Sequence, residues 1–324
     1  MTVNFGIVGP GNIADRSLVP AIRSVQAAQF WSVTSRSLNR AKEFASKHGA
    51  AGDNPAHDDY EAMLDDPHLD AVLVSTPDRL HKQHGIKAAE AGKHVLMEKP
   101  MVVSSTEGRE LLEACKTNGV KLGVAYHLRW HRGHRGLVRK IHDGVLGKLH
   151  HARIQWTFKA EDDSNWRAHD DVGRWWSLAG VGTHCLDLIR WTMLPRCGEV
   201  VDIDSTIVNE YWQSPHDETA MVNLTFESGA TAELTTSVLF DSEPEFKVYG
   251  GKGSAIARET LGPHGGGSIT LNGQPFEYKQ KNPYEGEILD FVESIVKDRE
   301  PEVTGSEGLR NVEILESAAP DTKQ

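Results

Sequence analysis

Residues 94–101, HVLMEKPM, end an apolar run with a carboxylate, an ammonium and a proline side by side: Glu98, Lys99 and Pro100. Burying an unpaired charge is costly, so a strand that only filled a core would not end this way. A lysine so placed can donate hydrogen bonds to an oxygen that gains negative charge during a reaction, and the proline fixes the backbone beside it. A second group, Gly9, Gly11 and Ala14, has the GxGxxA spacing of a dinucleotide-binding turn. Gly9 serves the bend, Gly11 the close approach of the backbone, and Ala14 helix packing, while Ile13 and its neighbours open a helix whose amides face a pyrophosphate. A glycine-rich turn alone is equally an ordinary turn, and its position at the first strand of the chain is what points to a nucleotide.

At the end of the second strand, no acidic residue stands where an adenosine 2′-hydroxyl would be bound. The chain reads SRSLNRAKEF instead, with Ser35, Arg36 and Arg40 available for charge-assisted hydrogen bonds to a 2′-phosphate. NADP is therefore expected over NAD. The competing reading makes Arg36 and Arg40 solvated charges at a turn and a helix start.

The elements that must carry these groups alternate. VNFGIVG (3–9) reads as a strand, and PGNIADRSLVPAIRSV as a helix with Ile13, Leu18 and Ile22 on one face. FWSVTS (30–35) and DAVLVSTP (70–77) read as the second and third strands, followed by a helix through Ala89 and the strand HVLME. In an open parallel sheet, ligands collect outside the carboxyl ends of the strands, so STPDRL and EKP should face the same crevice as the glycine loop. From about residue 124 the pattern changes. HLRWHRGHRGLVRKIHDGVLG leads into a helix, and LHHARIQWTF, ETAMVNLTF, ATAELTTSVLF and EFKVYGG suggest an antiparallel or mixed sheet. Two helices, EGEILDFVESIVKD and EGLRNVEILESAA, close the chain, with the tail PDTKQ expected to fray. The fold class is α/β: a doubly wound parallel Rossmann domain over 1–123 and a second α/β domain with a large open sheet over 124–324.

A chain of 324 residues exceeds one ordinary hydrophobic core, which agrees with two domains. The net charge of −11 disfavours a general nucleic-acid or anionic-membrane binder, so any phosphate site must be local. Cys115, Cys185 and Cys197 form no CxxC pair, no basic leader precedes an apolar segment, and no run approaches the ~20 apolar residues of a membrane span, so a cytoplasmic protein is expected.

GIVGPGNIA, VSTPDRLH, AGKHVLMEKP and GVGTHCLDLIRW, in this order, resemble the Gfo/Idh/MocA oxidoreductases, the family of glucose-fructose oxidoreductase and inositol dehydrogenase. Within it the chain is most similar to the NADP-dependent sugar reductases, including 1,5-anhydrofructose reductase and its dihydrodiol dehydrogenase relatives. The resemblance implies a homodimer or homotetramer formed through the open sheet, an active-site Lys99, and often a cis bond from that lysine to Pro100. It further implies cofactor contacts from Asn12, Ser35, Arg36 and Arg40, from Ser75, Thr76, Pro77, Leu80 and His81, and from Glu98, Lys99, Trp166, Arg167 and Tyr284. Trp166 and Arg167 belong to the second domain, and Trp166 reads equally well as core.

In the family pattern DxGxHxxD the first Asp and the His complete the active site. His184 and Asp187 match, while Gly180 stands at the first Asp, and Asp170 or Asp171 could approach from the loop before Trp175. The expected reaction is hydride transfer between a nicotinamide and a carbinol or carbonyl carbon of a sugar or polyol. His184 exchanges the proton, suited by an ordinary pKa of about 6.5, and Lys99 hydrogen-bonds the same oxygen. His127, Arg129, Asp163 and Asp187 are candidates for substrate contact, with a surface reading open for the first three. His127, His131 and His134 have a spacing that one helix face could use for a metal, but no acidic ligand stands near and no metal is expected. An NAD(P)-dependent glycoside hydrolase and a non-catalytic dinucleotide sensor are the rival functions.

Overall fold

In the computed structural model of the chain, residues 1–169 and 173–319 are described. Asp170, Asp171 and the tail 320–324 lie outside the described residues. The chain divides into two compact units, Met1–Tyr126 with Tyr284–Val312, and His127–Pro283 with the residues from Glu313 onward.

The first unit holds six parallel strands: β1 (Val3–Val8), β2 (Ala28–Thr34), β3 (Ala56–His57), β4 (Ala71–Val74), β5 (His94–Met97) and β6 (Leu122–Val124), in the order β3-β2-β1-β4-β5-β6. Strands β1, β4 and β5 are almost wholly buried along their length, as expected of strands covered on both faces. The intervening helices are α1 (Val19–Ser24), α2 (Leu38–His48), α3 (Tyr60–Leu64), α4 (His81–Glu90) and α5 (Ser105–Thr117). Ser37 and Ser104 cap α2 and α5 by accepting from the amides of Arg40 and Glu107, and α2 ends at Gly49 in the left-handed region.

Two details depart from the sequence reading. The helix expected after the glycine turn starts at Asn12 but passes through a π-turn over Ala14–Leu18 and resumes as α-helix from Val19, next to Pro20, which has no amide to donate. Strand β3 and helix α3 were not anticipated, because two residues at a sheet edge leave no periodic signal.

The segment Tyr284–Val312 belongs to the first unit, whereas a single cut at 123/124 had been expected. The reason is packing. Helix α8 (Pro283–Val296) places Tyr284, Ile288, Phe291 and Val292 in one buried cluster with Phe5 and Ile7 of β1. Gly123 on β6 makes room for this: a Cβ there would lie 2.9 Å from the Phe291 ring.

The second unit contains α6 (Arg132–His142), α7 (Thr183–Cys197) and an eight-stranded sheet. Its strands are β7 (Leu149–Thr157), β8 (Val200–Val208), β9 (Thr219–Phe226), β10 (Thr231–Ser237), β11 (Glu245–Gly250), β12 (Gly253–Arg258), β13 (Ser268–Leu271) and β14 (Gln274–Pro275). They run in the order β14-β13-β12-β11-β7-β10-β9-β8, with only the β7/β10 neighbours parallel. Alternate residues of β9 and β10 are buried, giving the sheet a covered face and an open one. Helix α7 is buried on nearly every side, so it carries apolar residues around its whole circumference. The last helix is α9 (Gly305–Ala318). Among the described residues no helix is long and apolar enough to cross a membrane.

His131 and His134 serve this packing. His131 caps α6 through its Nδ1 and meets the Gly266 carbonyl through Nε2, while His134 meets the Thr260 hydroxyl at 2.8 Å. Burial holds both rings below the ordinary imidazole pKa.

Candidate active site

In the first unit, sheet register puts the chemistry at one level. Val8 pairs with Thr34 on one side and Val74 on the other, and Val74 with Met97. The next residues, Ser35, Gly9, Ser75 and Glu98, therefore leave the carboxyl edge side by side, with Lys99 one step further. Gly9 has a φ of 87°, and a Cβ there would lie 2.9 Å from both the Ser75 carbonyl oxygen and Thr76 Cγ2, so only glycine fits. At Gly11 the nearest atom would be the Gly9 oxygen at 4.0 Å, which leaves the approach to the loop amides open. The Ser75 hydroxyl donates to the Gly9 carbonyl at 2.9 Å and ties the β4 end to this loop.

Arg40 donates to the Pro10 carbonyl at 2.6 Å, and with Pro10, Gly11, Asn12 and Asp15 it lines a cavity of about 240 Å³ beside the turn. Arg36 and Asn12 are exposed at the same edge, Ser35, Thr76 and Pro77 are half-buried, and Leu80 projects outward. The glycine cradle and the arginines suit a dinucleotide.

His81 is placed differently from a cofactor contact. It is fully buried, with Nδ1 at 2.9 Å from the Pro100 carbonyl and Nε2 at 2.9 Å from the Thr76 carbonyl. Both nitrogens are occupied, so the ring fastens the β4 loop to the β5 loop. There the peptide between Lys99 and Pro100 is cis, and the Glu98 carboxylate accepts from the Lys99 amide at 3.1 Å. Tyr284 is likewise buried in the core cluster, near Glu98 and Ser17, where burial raises its phenol pKa.

A residue the sequence reading missed lies here. Glu287 is buried on α8 with neither carboxylate oxygen hydrogen-bonded, and desolvation, with Glu98 and Asp290 adding to it, drives its pKa well above the ordinary range. A charge inside the stripe Tyr284, Ile288, Phe291 was the available signal. A raised folded-state pKa means that stability is complete below the unfolded value, about 4.3 for Glu, and is lost as pH rises toward the folded value. Glu287→Gln should therefore be more stable than the wild type, by a margin that widens by about 1.4 kcal/mol per pH unit until the folded-state value is reached. Denaturant titrations from pH 5 to 9 check this, and a constant margin would show that Glu287 is not held neutral.

In the second unit, His184 stands near the start of α7, after a π-turn over Leu178–Gly182. Asp217, at the approach to β9, anchors this start. Its carboxylate accepts from the Trp176 amide at 2.9 Å, the Leu178 amide at 2.7 Å and the Ser177 hydroxyl at 2.5 Å. Burial outweighs these three bonds and raises its pKa to about 6. His127, in a short turn over His127–Trp130, meets His184 edge to face with ring centroids 4.7 Å apart, and both rings are buried.

Arg129 and Asp187 were expected at the substrate, but the structure turns them toward each other. The guanidinium makes bonds of 2.8 and 2.6 Å to the two Asp187 oxygens, with both side chains buried, and it also lies over the Trp191 ring at 6.0 Å. This is a fixed prop for α7, one turn beyond His184. Arg167 lies over the Trp166 ring at 4.0 Å in a turn capped by Asn165, and both remain half-buried; Asp163 stays exposed in the preceding loop.

Comparison with known proteins agrees with both halves. Residues 3–126 match the model of an oxidoreductase family with an NAD-binding Rossmann fold, and residues 134–256 match the GFO/IDH/MocA C-terminal domain. The chain is 27% identical over 311 residues to 1,5-anhydro-D-fructose reductase of Ensifer adhaerens, covering 94% of this chain and 92% of that protein. It is 25% identical to myo-inositol 2-dehydrogenase of Thermotoga maritima, covering 94% and 92%. The crystal structure of aldose-aldose oxidoreductase from Caulobacter crescentus shares the fold, with a TM-score of 0.90 at 24% identity over 98% of this chain and 96% of that one. With its parallel sheet, its glycine cradle and these matches across both units, the chain belongs to the GFO/IDH/MocA family of NAD(P)-binding oxidoreductases.

Proposed function

We propose that this oxidoreductase uses NADP(H) and transfers hydride to or from a carbinol or carbonyl carbon of a sugar, polyol or related small molecule. The observation that carries the reading is the common level of β1, β4 and β5 in one sheet, which brings the glycine loop, Ser75-Thr76-Pro77 and Lys99 to one edge. The relatives named above, a sugar reductase and an inositol dehydrogenase, support the substrate class.

A bound dinucleotide supplies the redox chemistry. The Gly9 turn receives the pyrophosphate, while Arg36 and Arg40 hold the 2′-phosphate. In reduction, His184 gives a proton to the substrate oxygen as it becomes an alkoxide, and Lys99 donates a hydrogen bond to the same oxygen. In oxidation His184 takes that proton back. Trp166 and Arg167 contact the cofactor, and His127 contacts the substrate. Asp187 acts through Arg129 by holding α7.

Absorbance at the nicotinamide band, followed over a panel of polyols, aldoses and ketoses, tests the reading; dinucleotide binding with no net redox turnover of any of them would overturn it. Arg36→Ala should lower NADP affinity by at least ~10-fold and leave NAD affinity nearly unchanged, since one charge-assisted bond to phosphate contributes about 1.5–3 kcal/mol. Tighter binding of NAD than NADP by the wild type would refute the preference.

This reading includes a cytoplasmic location and assembly into a homodimer or homotetramer through the open face of the second sheet. None of the three buried cysteines is in a disulfide, as suits a reducing compartment. The open face carries Met221 and Tyr249 among the paired charges Arg153–Glu233 and Lys247–Glu245. Sedimentation of the purified protein measures the state.

A further inference from the structure

His84 follows His81 by three residues on α4, and the two imidazoles hold the same partner. His81 Nε2 meets the Thr76 carbonyl at 2.9 Å, and His84 Nδ1 meets the Thr76 hydroxyl at 3.1 Å. Residues three apart share a helix face, so both rings reach the end of β4 from one platform. That platform is fixed. Gly85 lets α4 lie close on its neighbours, since a Cβ there would come within 2.8 Å of Met97 Cε on β5 and 2.7 Å of Leu111 Cδ1 on α5. Tyr60 of α3 donates to the His84 carbonyl at 2.9 Å and stands edge-on to the imidazole, with ring centroids 5.2 Å apart and planes at 90°. Burial, with His81 and Lys87 adding to it, lowers the His84 pKa to about 4, so near pH 7 the bond to Thr76 joins two neutral groups.

Threonine carries its hydroxyl and its methyl on one Cβ, so fixing the first fixes the second. The methyl faces the glycine turn: a Cβ built at Gly9 would lie 2.9 Å from Thr76 Cγ2. Around Gly9, the amide donates to the Thr34 carbonyl at 3.2 Å, the carbonyl accepts from the Ser75 hydroxyl at 2.9 Å, and the side where a Cβ would stand meets this methyl. The first two bonds come from the ends of β2 and β4 themselves, whereas the third contact depends on a rotamer set from α4. Released from His84, Thr76 could turn its hydroxyl toward Gly9 instead. We infer that His84 is a positioning residue for the dinucleotide: by holding the Thr76 hydroxyl on α4 it keeps the methyl against Gly9 and so sets the shape of the turn that receives the pyrophosphate. The inference rests on the Gly9 turn as the seat of the dinucleotide.

Dissociation constants for NADPH, measured by calorimetry on the full chain, test this. His84→Leu keeps the bulk and removes the hydrogen bond, and it should weaken NADPH binding by ~3- to 10-fold. His84→Asn places an amide atom near the position of Nδ1 and should recover most of that loss. In the Thr76→Val background, which has no hydroxyl to hold, adding His84→Leu should cost less than ~2-fold beyond what Thr76→Val costs alone. That comparison separates positioning from packing, because a His84 that served only to seat α4 would cost the same factor in both backgrounds. His84 is half-buried, so His84→Ala takes its place in the same cycle should the leucine variant fail to fold. An unchanged Kd in His84→Leu, an equal loss in both backgrounds, or no recovery in His84→Asn would each overturn the inference and leave the dinucleotide seat standing. A wild-type protein that binds no dinucleotide would overturn the seat, and the inference with it.

Discussion

On its proposed role, replacing His184 with alanine should lower kcat by ~100- to 10,000-fold, the range that a positioned proton donor contributes. Dinucleotide affinity stays close to the wild-type value, because the glycine turn and Arg40 belong to the other unit and are untouched. Without the imidazole, proton exchange at the substrate oxygen should fall to water. Lys99→Ala should lower kcat by ~100- to 1,000-fold for a different reason: on the proposed role, the oxygen would lose a charged donor whose bond strengthens as negative charge develops. Single-turnover measurements at the nicotinamide band read both variants. Wild-type turnover in either one would remove that residue from the reaction.

Arg129→Ala destabilises the second unit by about 3–5 kcal/mol, since it leaves the Asp187 carboxylate buried without its bidentate partner. Arg129→Lys recovers only part of this, because an ammonium cannot bridge two carboxylate oxygens in the plane of the guanidinium fork. The double variant Arg129→Met with Asp187→Leu returns close to wild-type stability, as removing both charges removes the desolvation cost together with the attraction. Denaturant unfolding measures all three. Should the single alanine variant lose less than about 1 kcal/mol, the pair would behave like an exposed ion pair, and its buried placement would be wrong. Because α7 carries both Asp187 and His184, Arg129→Lys should also raise KM or lower kcat modestly, which a purely distant structural residue would not do.

The residues at the carboxyl edge of the first sheet were legible because their signals are local. A strand that ends in glycine, a helix that follows it, and a strand that ends in Glu98-Lys99-Pro100 each reveal themselves within a few neighbours. Once the strands lie parallel and in register, those ends have to coincide. The same logic exposed the mixed second sheet, whose strands alternate, and the family resemblance, whose motifs follow this order. Side-chain partnership was less legible. His81 has the sequence context of a cofactor contact, but its ring is consumed by two backbone carbonyls. Tyr284 lies 186 residues from Glu98 in the chain yet packs near it. Asp217 gave no sign of its burial, and Glu287 only its place inside an apolar stripe.

By itself, the sequence determined the parallel and mixed sheets, the nucleotide turn, and the places of Lys99 and His184 at the ends of their elements, because hydrophobic period and turn chemistry act between residues close along the chain. Only the tertiary structure decided that Arg129 and Asp187, 58 positions apart, face each other, that Tyr284–Val312 belongs with the first unit, and that the rings of His127 and Trp156 lie against His184. Those outcomes depend on desolvation and on which distant surfaces fill each other's volume, and no spacing along the chain encodes either.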